Sequence, residues 1–67
     1  MPSMCLFKVF LEDNGERKLV AEKIAVLEVR DGKIYLYNDV LECKDVIEGA
    51  MISSVNTISE IVVLKKT

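Results

Sequence analysis

Apolar residues fall in short runs divided by turn-forming residues, and alternation within most runs predicts strands rather than helices. Over residues 5–11, Cys5, Phe7, Val9 and Leu11 share one face of an extended chain, and Leu6, Lys8, Phe10 and Glu12 share the other. Both faces are apolar in part, which predicts a strand covered on both sides. Asn14-Gly15 closes this run, and Asp31-Gly32 joins the alternating run 25–30 to Lys33-Ile34-Tyr35-Leu36-Tyr37 as a two-residue hairpin. Asn38-Asp39 then turns into a strand over 40–44, where Leu41 and Cys43 share a face and Cys43 reads as a small core residue. Residues 45–49 read as a link. A terminal pair of strands, 50–56 and 60–65, flanks Thr57-Ile58-Ser59, and the unalternating Ile61-Val62-Val63-Leu64 predicts a strand buried on both faces.

The stretch 16–24 is ambiguous. Leu19, Val20, Lys23, Ile24 and Leu27 recur at spacings that fit one side of a helix, so about two turns of helix and an irregular loop both remain open there. The expected fold is therefore all-β: a small twisted barrel or SH3-like meander of about six short strands, with room for one short helical turn and the N-terminal strand near an edge. Residues 1–67 read as one small domain. Met1-Pro2-Ser3 are expected to lie outside it, as an added or mis-assigned start, and Pro2 falls outside every element.

Composition adds a need for support. A chain of 67 residues with 51% hydrophobic residues and a mean hydropathy of +0.27 carries more apolar surface than one tiny core can hide, so self-association is expected. No apolar run reaches the roughly 18 residues of a membrane-spanning helix, and no secretory signal precedes the cysteines. Cys5 and Cys43 are thus read as reduced thiols of a soluble, cytoplasmic protein without membrane association. The net charge of −2 and the scatter of nine basic residues among eleven acidic ones argue against tracking a phosphate backbone. Tyr35 and Tyr37 share a hairpin face and offer a stacking platform, but without adjoining basic residues they read as cross-strand packing.

The absence of histidine removes the commonest general base and the commonest metal ligand together. No phosphate-binding glycine loop or nucleophile–histidine pair exists, so no enzymatic activity is expected. Cys5 is the residue with the sharpest chemistry. If the chain starts at Met4 and loses that methionine, Cys5 carries a free amine beside its thiol, and a sulfur–nitrogen chelate suits nickel(II) or copper(II). If it starts at Met1, the nitrogen is an amide and the chelate is altered. The bland account of Cys5 is a buried cysteine heading a core strand. Cys43 has no neighbouring ligand at metal-motif spacing.

Met4-Cys5-Leu6-x-Lys8-Val9-Phe10-Leu11, the acidic glycine turn, Ile24-Ala25-Val26-Leu27-Glu28-Val29 and Asp31-Gly32-Lys33-Ile34 together resemble the CooT-like family of small nickel-binding proteins, some of which carry a predicted RNA-binding label. The resemblance implies a homodimer in which Cys5 of both chains binds one nickel(II) ion at the interface. Leu6, Phe7 and Phe10 would then be the interface and core residues flanking it, and ordinary packing is the favoured account of each taken singly. It further implies service in nickel storage or in a nickel-enzyme maturation system such as that of carbon monoxide dehydrogenase. An RNA-binding small barrel and a metal-free adaptor dimer are the alternatives.

Overall fold

The computed structural model describes residues 6–67. Seven strands run in order: β1 (Phe7–Asp13), β2 (Glu16–Ile24), β3 (Val26–Arg30), β4 (Lys33–Tyr37), β5 (Cys43–Glu48), β6 (Ala50–Asn56) and β7 (Ile61–Lys66). They form a four-stranded sheet, β2-β1-β7-β6, and a three-stranded sheet, β3-β4-β5. Every connection is an antiparallel hairpin or short link except that β1 and β7, the first and last strands, lie parallel at the centre of the larger sheet. This all-β architecture is of the expected kind, with β1 placed inside the sheet instead of near its edge.

The two sheets meet through one apolar layer. Val9 and Ile24 from β1 and β2, Ile34 and Leu36 from β4, and Val62 and Leu64 from β7 are fully or almost fully buried and form one cluster. Phe7, Leu11, Leu27 and Ile47 pack around it. Alternation explains the selection: Val9 opposes Val62 and Leu11 opposes Leu64, so these pairs face inward. Phe10 and Val63 face outward, yet Val63 is only 4% exposed because Phe10 and Ser54 flank it. The dense apolar run of β7 is thus covered on both faces, as its sequence predicts.

The ambiguous stretch is β2, a strand and not a helix. Phe7 opposes Ile24, Val9 opposes Ala21 and Phe10 opposes Leu19, so β2 carries an extra residue in each of two intervals. Lys23 in the left-handed region, φ 57°, marks one of them. The bulges put Ala21 and Ile24, three positions apart, on the same inner face, and that spacing imitates a helix.

The expected strand over 40–44 is also corrected. Asn38 folds this segment into a loop: its Oδ1 accepts the N–H groups of Val40 and Glu42 at 3.1 and 2.8 Å, and Leu41 takes φ 61°. Val40 and Leu41 are 67% and 70% exposed at the loop tip. The strand begins later, at Cys43, and includes most of the stretch read as a link.

The two Asx-Gly turns form as predicted, with Asn14 at φ 51° and Gly15 at 79°, and Asp31 at φ 50° and Gly32 at 73°. A Cβ at Gly32 would meet nothing within 4 Å, so an alanine there is penalised by backbone conformation alone. Gly32→Ala is expected to cost about 1 kcal/mol and to lower the thermal midpoint by about 4–8 °C, read by circular dichroism.

Candidate metal centre

Cys5, the residue that the sequence singles out, lies outside the described residues. What the structure places is the chain immediately after it. Leu6 precedes β1, and its N–H donates to Glu60 Oε2 at 3.2 Å. Two residues on, the Lys8 N–H donates to the main-chain oxygen of the same Glu60 at 3.0 Å. The start of β1 is therefore held from the β6–β7 turn, across 54 positions of sequence.

That turn is built by Asn56, whose Oδ1 accepts the N–H groups of Ile58 and Ser59, both at 3.0 Å. The turn projects Ile58 into solvent, 95% exposed, and delivers Glu60 in the left-handed region at φ 59°. Glu60 brings a carboxylate to this end of the sheet, whereas the sequence pattern places it only at the head of the last strand. The Asx signal at Asn56 is present in the sequence, but its consequence needs the parallel pairing of β1 with β7. Of the flanking aromatic and aliphatic residues, Phe7 packs on the core, Phe10 sits half-buried on the outer face, and Leu6 is half-buried.

Among the described residues no group of three or more histidine, cysteine or acidic side chains could enclose a metal ion. Cys43 is exposed and not a core residue, as a consequence of the Asn38 loop that delays β5. Its thiol donates to the Asp45 carbonyl at 3.6 Å and stands opposite Tyr37. Because it is exposed and unpaired, Cys43 is expected to react fully with a thiol reagent in the native protein, and Cys43→Ser should change stability by less than about 0.5 kcal/mol. Titration with Ellman's reagent and urea unfolding check the two halves of that expectation.

The hairpin register corrects the picture of the tyrosine face. Glu28 opposes Tyr35 and Arg30 opposes Lys33, which brings the Arg30 guanidinium to 4.2 Å from the centre of the Tyr35 ring. A basic residue does adjoin the platform. It is already engaged, however, with Arg30 Nε 2.7 Å from Glu28 Oε1 and Nη2 3.4 Å from the Tyr37 hydroxyl. The Glu28 carboxylate, more than the tyrosines, raises the Arg30 pKa above its ordinary value. The face is self-neutralised, which opposes the attraction to phosphates that nucleic-acid binding needs.

A surface hollow of about 320 Å³ opens by the β1–β2 turn, lined by Leu11, Asp13, Asn14, Glu16, Lys18 and Lys66. It lies at the far end of β1 from Leu6 and holds no soft donor, so it does not adjoin the candidate site. Among the described residues no helix is long and apolar enough to cross a membrane.

The sequence model of the family described as CO dehydrogenase accessory protein CooT matches residues 4–65. A crystal structure assigned to CooT from Carboxydothermus hydrogenoformans superposes with a TM-score of 0.78 at 17% identity, covering 94% of this chain and 98% of that one. At that identity the superposition speaks for a shared fold. No curated protein matches the chain.

Proposed function

The chain belongs to the CooT family of CO dehydrogenase accessory proteins, and from that premise we propose that it is a homodimeric nickel(II) carrier whose two Cys5 residues bind one ion between them. Nickel is the cargo in this reading, destined for storage or for a nickel enzyme such as carbon monoxide dehydrogenase. The observation that carries it is the family match opening at residue 4, which makes Cys5 the second matched residue.

The rest of the molecule supports the reading through what it offers and what it lacks. With no histidine in the sequence and no ligand cluster among the described residues, one chain supplies too few soft donors for a four-coordinate site. Two chains about a two-fold axis supply two thiolates and two nitrogens, a donor set suited to square-planar nickel(II). The end of the sheet that leads to Cys5 also presents Ile58, almost wholly solvent-exposed, and a contact there between two copies would cover it.

The test is a nickel titration followed by ultraviolet absorption, with mass measured alongside, on one preparation beginning at Cys5 and one retaining Met1-Pro2-Ser3. A thiolate-to-nickel band that saturates at one ion per two chains supports the reading, and its confinement to the first preparation would identify the free amine as a ligand. No band in either preparation overturns it.

A further inference from the structure

The two sheets have four edge strands, β2 and β6 in the larger and β3 and β5 in the smaller. A bare edge offers unpaired main-chain N–H and C=O groups to any extended chain, and charged residues are a usual guard against that. β2, β3 and β5 each carry charges of both signs. β6, Ala50-Met51-Ile52-Ser53-Ser54-Val55-Asn56, carries none. Its one guard is a bulge at Ser53, which has no register partner on β7.

The apolar layer between the sheets also ends at β6 without a cover. Ile52 opposes Leu64 and Val55 opposes Val62, so both point to the inner face, where Leu64 and Val62 are buried. Ile52 is nevertheless 39% exposed and Val55 56%. The bulge is what brings these two, three positions apart, to the same face.

We propose that β6 pairs with β6 of a second copy, antiparallel about a two-fold axis between Ser53 and Ser54, joining two four-stranded sheets into one continuous sheet. That register sets Ile52 of each copy against Val55 of the other, so the apolar residues left bare in one chain are covered by the second. A second copy also suits the edge in charge, because an uncharged strand brings no unpaired charge into the contact. With 51% hydrophobic residues in 67, the chain has the apolar surplus that such a contact would bury. The pairing is additional to the contact around Cys5, because it leaves the two β1 strands five strand spacings, about 24 Å, apart. It concerns the metal-free protein and does not rest on the nickel reading.

Ser53→Lys tests the pairing without touching the buried cluster, since Ser53 is exposed. Lysines from both chains would flank the axis and repel, so the dimer dissociation constant of the metal-free variant should rise by about tenfold or more. An equimolar mixture of Ser53→Lys and Ser53→Glu should regain most of the native affinity, because opposite charges then meet; a variant that merely folds badly would not. Val40→Lys adds the same charge at the exposed loop tip and should associate as the native chain does. Analytical ultracentrifugation of the metal-free native protein and the variants over a concentration series, with circular dichroism of each, reads all of this. A native protein that stays monomeric to the highest soluble concentration overturns the proposal. So does a Ser53→Lys dimer as tight as the native one, a mixture no tighter than its components, or equal weakening by Val40→Lys.

Discussion

Replacing Cys5 by serine is expected to abolish saturable nickel binding while leaving the fold and the dimer in place. A serine hydroxyl is not ionised near neutral pH and is a poor ligand for a late metal, so both sulfur donors would disappear from the proposed site between two chains. Outer partners of metal ligands are already worth about 10- to 100-fold, and loss of the ligand itself should exceed about a hundredfold. The fold should be indifferent, since the buried cluster is made by Val9, Ile24, Ile34, Leu36, Val62 and Leu64. Isothermal titration with nickel and light scattering on the same samples check both halves. Retained binding would sink the metal reading, whereas a variant that falls to monomer would show that Cys5 belongs to the interface by packing. Thiolate and amine must shed protons to bind, so the affinity of the native chain should also fall as pH is lowered.

Leu64→Ala is expected to cost about 3–4 kcal/mol, near the middle of the range for large-to-small changes at fully buried sites. Leu64 has no solvent exposure and lies on the central strand β7, between β1 and β6, with Leu11 and Ile52 as its register neighbours. Collapse around the cavity is restricted because both neighbouring strands are hydrogen-bonded in place. For a chain of this size the whole folding free energy is roughly 3–10 kcal/mol, so the variant should lose a third of it or more. Urea titration followed by circular dichroism would show the midpoint moved to lower urea. A midpoint within experimental error of the native protein would mean that the core is not where the structure places it. The surface ion pairs Arg17–Glu12 and Lys33–Glu48, at 3.6 and 3.3 Å, cannot offset such a loss, because exposed pairs contribute about 1 kcal/mol at most.

Much of the fold was legible because the signals were local. Asn14-Gly15 and Asp31-Gly32 determine two-residue turns whatever the rest of the chain does, and the second alone sets Arg30 opposite Lys33 and Glu28 opposite Tyr35. The contact of Arg30 with Tyr35 follows from that register, because the basic residue adjoins the tyrosine across the hairpin and not along the chain. The bulges of β2 were harder, since an inserted residue shifts the alternation and the result resembles helical spacing. The burial expected of Cys43 failed for a related reason. A single side-chain oxygen on Asn38 bonding two amides was enough to turn a plausible strand into a loop.

The candidate site divides along the same line. From the sequence alone came the all-β class, the hairpins, the absence of histidine, the dense β7 run and the choice of Cys5, all of which depend on residue type and short spacing. The tertiary structure decided what lies beside the start of β1. Parallel pairing of the first strand with the last joins residues 54 positions apart, and only that pairing puts the Glu60 carboxylate on Leu6 and Ile58 at the same end. Such a neighbourhood is set by which sheet edges and faces pack together, a long-range choice driven by burial of the shared core, and no local pattern in the chain encodes it.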